Sequence, residues 1–230
     1  MIQERLKALR AEMEKRGITV YVVPTADFHE SEYVGDHFKA RKFITGFTGS
    51  AGTAVITLDE AGLWTDGRYF VQAENQLKDS TVTLYRMGEE GVPTVDEFVK
   101  DRLKEGGCLG FDGRVVNGTW GGKLEKIAAE KNVSMHVTED LIDLIWEDRP
   151  ALSKQPLFIL EEKYSGKSTA DKIADLRKAM KENGADVHIL TSLYDIAWLL
   201  NIRGNDIHCC PVVLSYLVLD DSELRLFVNE

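Results

Sequence analysis

Apolar residues recur at helical spacing from the first residues of the chain. Ile2, Leu6, Leu9 and Met13 repeat over residues 2–16 with charged residues between them, which predicts an amphipathic helix. Gly17 supplies its stop, and Thr19-Val20-Tyr21-Val22-Val23, closed by Pro24, reads as a buried strand. A helix, a glycine and a strand in that order open an α/β layer. Further on, Thr53–Leu58 and Leu63–Thr65 read as strands joined by a turn at Asp59-Glu60-Ala61-Gly62. The pattern then predicts a helix over 68–78, a strand Val82–Tyr85, a helix over 94–104 and a strand Cys108–Phe111. Helix 119–131, strand Val133–Val137 and a short helix over 139–146 follow. Hairpins mixed with crossover helices imply an α/β fold with a mixed sheet flanked by helices.

The opening pattern returns downstream. Over residues 172–183, Ile173, Leu176, Ala179 and Met180 share a helical face, followed by Gly184 and the strand Val187-His188-Ile189-Leu190. A shift of about 167 positions superposes Leu9 on Leu176, Arg10 on Arg177, Met13 on Met180, Gly17 on Gly184 and Val20 on Val187. Glycine and arginine agreeing in one register with the apolar positions implies an internal duplication. Between the copies lies a polar stretch, Glu147–Pro156, holding two of the five prolines. The expected organisation is a first domain over 1–147, a linker over 148–156 and a second copy over 157–230. That copy has half the length of the first and ends on the strand-like run Leu226-Phe227-Val228, so it reads as an incomplete domain.

Composition narrows the class without naming any chemistry. Apolar residues make up 43% and charged residues 29% of the chain, so real cores can form. The formal net charge of −10, with no local basic patch, argues against nucleic acid as a partner. Cys108, Cys209 and Cys210 cannot build a disulfide framework, the charged start lacks the apolar core of a secretory signal, and no run is long enough for a membrane span. The expected compartment is the cytoplasm.

Candidate chemistry is sparse. Gly46, Gly49 and Gly52 lead into a β-branched strand, whereas a dinucleotide fingerprint opens a helix, so a close backbone bend is the better reading than a phosphate cradle. In Trp64-Thr65-Asp66-Gly67-Arg68-Tyr69-Phe70, Asp66 suits a helix cap. Arg68 then falls in the first helical turn, where the macrodipole disfavours a cation. It either binds an external carboxylate or anion, or pairs with an acidic neighbour. The five histidines, His29, His37, His136, His188 and His208, show no metal-binding spacing. His208-Cys209-Cys210 is a poor tetrahedral set, His188 reads as a core histidine, and His29–Glu32 reads as a surface turn. Ser50 lacks the spacing of a nucleophile elbow, and Cys108 reads as a small core residue. No self-sufficient catalytic or metal site emerges.

Three of these stretches resemble the first domain of Xaa-Pro aminopeptidases (aminopeptidase P), in the long three-domain cytosolic form. They are His29-x-Ser31-Glu32-Tyr33, Arg41 through Ala54, and Leu63 through Ala73. Leu144-Ile145-Trp146-x-Asp148-Arg149-Pro150 is similar to that form's connection between its first two domains, and Asp195–Asp206 to the opening of its second. The resemblance implies creatinase-like α/β domains ahead of a catalytic domain that is not in this sequence. That domain holds two divalent ions, usually manganese, and removes an N-terminal residue preceding proline. The present chain would then be a non-catalytic portion without metal or cofactor. It would guide Xaa-Pro peptides, join its own C-terminal catalytic domain and help form a homodimer, with Arg68 facing the peptide. One departure is Cys210, where the family usually has asparagine, which puts a polar role there in doubt. The competing expectation is a stand-alone peptide-binding or regulatory module without peptidase activity.

Overall fold

The computed structural model describes residues 2–229, which divide into two compact units. One runs through Phe28 and resumes over Phe38–Pro150; the other joins His29–His37 to the residues from Ala151 onward.

In the first unit, helix α1 (Ile2–Lys15) leads through Gly17, at φ +67°, into strand β1 (Val20–Pro24). Helix α2 (Ala40–Thr45) precedes the hairpin of β2 (Thr53–Thr57) and β3 (Ala61–Thr65). Helix α3 (Phe70–Leu77), β4 (Thr83–Arg86), α4 (Val95–Arg102), β5 (Cys108–Phe111), α5 (Gly118–Glu130) and β6 (Ser134–His136) follow. The six strands make one sheet in the order β4-β3-β2-β1-β5-β6. β1 pairs antiparallel with β2 and parallel with β5, so the sheet is mixed, as the pattern implied. Alternate residues of β1 serve opposite faces. Tyr21 and Val23 meet Leu6, Leu9 and Met13 of α1 with Phe43 and Ile44 of α2, whereas Val20 and Val22 meet Phe98, Val99 and Leu124 of α4 and α5.

The second unit begins with strand β7 (Phe158–Ile159) and helices α6 (Glu162–Ser165) and α7 (Thr169–Glu182). Strand β8 (His188–Leu190), helix α8 (Leu193–Leu200), and strands β9 (Ile202–Arg203), β10 (Ser215–Leu219) and β11 (Leu224–Val228) complete it. β11, β10 and β8 form a three-stranded sheet, and β7 pairs with β9.

The duplication is visible inside each unit. Shifted by 167 positions, α1 falls on α7 residue for residue. Gly17 and Gly184 both lie at positive φ, and Met13 and Met180 are both buried. Val22 opposite Val55 in the first sheet corresponds to Ile189 opposite Val218 in the second. Two side-chain clasps repeat as well. Arg10 donates from Nε to Thr57 O at 2.9 Å, and its repeat mate Arg177 donates from Nε to Asp220 O at 2.9 Å. Arg5 donates to Phe43 O at 2.8 Å with its guanidinium over the Phe43 ring; Lys172 donates to Trp198 O at 2.7 Å with its ammonium over the Trp198 ring. In both units, a cation near the start of the helix that ends before the repeated glycine fastens the next α-helix by a carbonyl and an aromatic face.

Three local expectations are corrected. Residues 139–146 form successive turns, not a helix. Asp140 turns inward to Arg149 at 2.6 Å and accepts from Ile142 N, while the Tyr21 hydroxyl accepts from Leu141 N at 2.9 Å. Gly62 lies inside β3 and not in the hairpin turn. A Cβ there would come within 2.5 Å of the Trp64 ring, so the glycine leaves room for the Trp64–Tyr85 stack. The turn is organised instead by the Thr57 hydroxyl, which accepts from Glu60 N and donates to Asp59. His188 is only half-buried because it opens β8, an edge strand of the second sheet; its neighbour Ile189, on the opposite face, is 63% exposed.

Candidate functional site

Strand β3 delivers its C-terminal end to Asp66, and the chain turns there. The Asp66 carboxylate accepts from Arg68 N at 3.1 Å and caps a single 3-10 turn, Gly67–Tyr69, which runs directly into α3. The same carboxylate takes the Arg68 guanidinium side-on, from Nε at 2.8 Å and Nη2 at 2.9 Å. Of the two partners the sequence left open for Arg68, the structure displays the acidic neighbour. The pair is open to solvent, with the Arg68 side chain 67% exposed. Its hydrogen bonding holds Asp66 at a pKa of about 2, below the ordinary carboxylate range.

Tyr69 lies beside this fork. Its ring centroid is 5.2 Å from the Arg68 guanidinium carbon, and its hydroxyl is 2.7 Å from Ser50 Oγ. Ser50 belongs to the Gly46–Gly52 bend, where backbones do approach closely. Gly46 ends α2 at φ +79°, and a Cβ on Gly49 would overlap the Phe47 ring at 2.2 Å and the Tyr69 ring at 2.9 Å. The outer side of the bend is tied to α3. Thr48 N donates to Gln76 Oε1 at 2.8 Å, and the Thr48 hydroxyl accepts from both Gln72 and Gln76.

Beneath the bend sits Arg41, which sequence reasoning did not single out. It is 3% exposed and donates to Thr25 Oγ1 at 2.9 Å, to Phe47 O at 2.6 Å and to Gly49 O, with the Phe47 ring against its guanidinium. Its hydrogen-bond partners are uncharged oxygens, and burial draws its pKa down to about 10, which still leaves it charged at neutral pH. The sequence did carry a signal. Arg41 shares the buried stripe of α2 with Ile44 and Thr45, and a cation there needs acceptors that a glycine-rich bend can turn inward.

The remaining candidates separate into structural roles. Cys108 is buried in the first core. In the second unit, the turn at His208-Cys209 brings Cys210 N to Ile207 O at 3.0 Å, with Cys209 at φ +62°. Cys210 retains a polar contact, since the Tyr194 hydroxyl donates to its sulfur at 3.5 Å. His29 approaches Thr191 O through Nδ1 at 3.0 Å and stacks near Tyr216. Among the described residues, no group of three or more His, Cys, Asp or Glu side chains is placed to hold a metal ion. The described residues offer no ligand set for a di-metal centre, which the resemblance places in the catalytic domain and not in this chain. No described helix is long and apolar enough to cross a membrane.

Sequence models of the creatinase/prolidase N-terminal domain match residues 5–145 and, separately, residues 148–230. The chain belongs to the creatinase/prolidase N-terminal domain family. Among named relatives, a probable Xaa-Pro aminopeptidase P of Sordaria macrospora is 44% identical over 99% of this chain and 37% of its own length. Aminopeptidase P2 of Arabidopsis thaliana is 38% identical over the whole chain and 33% of its own length. The crystal structure of X-prolyl aminopeptidase from Caenorhabditis elegans, described as a cytosolic enzyme with a di-nuclear active site, superposes with a TM-score of 0.92 at 34% identity. That likeness covers all of this chain and 39% of the nematode chain. The creatinase-like chain thus spans little more than a third of the proteins it matches. It corresponds to the N-terminal region of Xaa-Pro aminopeptidase-family proteins.

Proposed function

We propose that this chain is the non-catalytic N-terminal part of a metal-dependent Xaa-Pro aminopeptidase, acting in the cytoplasm to guide substrate and to support a homodimer. The observation that carries the reading is the likeness of the whole chain to the cytosolic, di-nuclear X-prolyl aminopeptidase of C. elegans, at a TM-score of 0.92. Two divalent ions, manganese by family resemblance, then belong to the catalytic domain that completes such an enzyme. Residues 1–147 act as the first creatinase-like domain and 157–230 as the opening of a second, joined by 148–156. The substrate is a peptide with proline in second position.

Arg68 is the residue of this chain assigned to the peptide. Its guanidinium is solvent-facing and already arranged for two-point contact with a carboxylate. An exposed ion pair contributes only about 0–1 kcal/mol to stability, so the fold has little need of it. In the whole peptidase, Arg68→Ala is expected to raise KM for an Xaa-Pro peptide roughly tenfold, the scale of one charge-assisted hydrogen bond, with bound metal unchanged. Unaltered kinetics would return Arg68 to a local pair with Asp66.

A further inference from the structure

We propose that the hydroxyl pair Ser50–Tyr69, braced from below by Arg41, positions Arg68 for the peptide. This inference rests on the reading of Arg68 given above and adds the residues that set its geometry.

Three observations combine. Tyr69 follows Arg68 in the 3-10 turn and provides the face on which the Arg68 guanidinium lies, 5.2 Å from the ring centroid. The position of that ring is fixed by the 2.7 Å hydroxyl contact with Ser50 and by an edge-on contact with Phe47, whose ring centroid is 5.8 Å away. The bend bearing Ser50 and Phe47 has two of its carbonyls, those of Phe47 and Gly49, turned onto the buried Arg41 guanidinium. Burying a cation without a counter-charge is costly unless several dipoles converge on it. The bend is therefore constrained to the shape that satisfies Arg41. That same shape leaves no room at Gly49 for anything larger than hydrogen between the Phe47 and Tyr69 rings.

The Asp66 carboxylate thus supports Arg68 along its edge and the Tyr69 ring against its face. An incoming carboxylate or carbonyl oxygen of an extended peptide competes with Asp66 for the donors, while the ring keeps the guanidinium in place. Ser50 and Tyr69 are positioning residues in this scheme. Their hydroxyls act through Arg68, and Ser50 is half-exposed at the rim of the core.

Single-hydroxyl deletions test the proposal with little risk of unfolding. In the whole peptidase, Ser50→Ala and Tyr69→Phe are each expected to raise KM for an Xaa-Pro peptide about three- to tenfold, the scale of one neutral hydrogen bond. The kcat should stay within about twofold, and the double variant should match either single one, because both remove the same bond. Ser50→Thr, which keeps the hydroxyl, should restore KM. If Arg68→Ala raises KM but the hydroxyl variants do not, the positioning role is overturned and the Arg68 reading stands. If the double variant is additive, or if KM stays fixed while only the melting temperature falls, the pair is merely structural and the proposal fails. If Arg68→Ala is itself silent, the Arg68 reading fails and takes this proposal with it.

Discussion

Asp66 performs two tasks with one carboxylate, capping the 3-10 turn through Arg68 N and receiving the Arg68 side chain. Both depend on its negative charge. Its folded-state pKa of about 2 lies below the ordinary aspartate value near 3.9. A depressed folded pKa means that the contribution to stability is complete above about pH 4 and fades as pH falls towards 2. An NMR titration of the Asp66 carboxyl carbon should therefore give a midpoint near 2 in the native protein. Arg68→Ala should move that midpoint up towards the ordinary value, and a midpoint near 4 in the unaltered chain would contradict the pair. At this scale the sequence was partly legible. It placed Asp66 as a cap and left Arg68 either to an external carboxylate or anion or to an acidic neighbour. It could not say which, because the closeness of Asp66 and Arg68 depends on the turn that Asp66 itself caps. Arg41 escaped notice because a charged residue within a short helix ordinarily reads as solvent-facing.

Among elements, the two units use the same construction with different side chains. A helix of fourteen residues packs on one face of the sheet, and an arginine at its ninth position reaches the hairpin turn. Arg10 makes a second bond there, to Glu60 O at 3.0 Å, whereas Arg177 donates to Asp220 O. Hydrogen bonds to charged groups contribute about 1.5–3 kcal/mol, so Arg177→Ala should cost roughly that amount and Arg10→Ala somewhat more. Urea unfolding of the two variants checks this, and a loss below about 0.5 kcal/mol for both would show the clasps to be incidental. The long amphipathic helices and the Val- and Ile-rich strands of the first sheet were readable from periodicity. Residues 139–146 were not, since a helix-like pattern over one or two turns cannot compete with the buried Asp140–Arg149 pair and the Tyr21 hydroxyl. Gly62 misled for a different reason. Glycine near a turn looks like part of the turn, but here the packing of Trp64 on Tyr85 required it inside the strand.

For the whole molecule, the duplication was the most informative feature of the sequence, since Gly17/Gly184 and Arg10/Arg177 kept both register and role. It did not reveal that the faces of the two sheets would differ. The first sheet is covered by helices on both faces, whereas the second leaves Ile189 and Phe227 more than half exposed. Nor did it show that His29–His37, early in the chain, cluster with the second unit. In the proposed function, this chain guides the peptide and catalysis belongs to another part of the enzyme. The most direct test incubates the purified chain with manganese and an Xaa-Pro peptide, following release of the N-terminal residue and measuring bound metal. The account predicts no release and no stoichiometric manganese; metal-dependent turnover by this chain alone would contradict it.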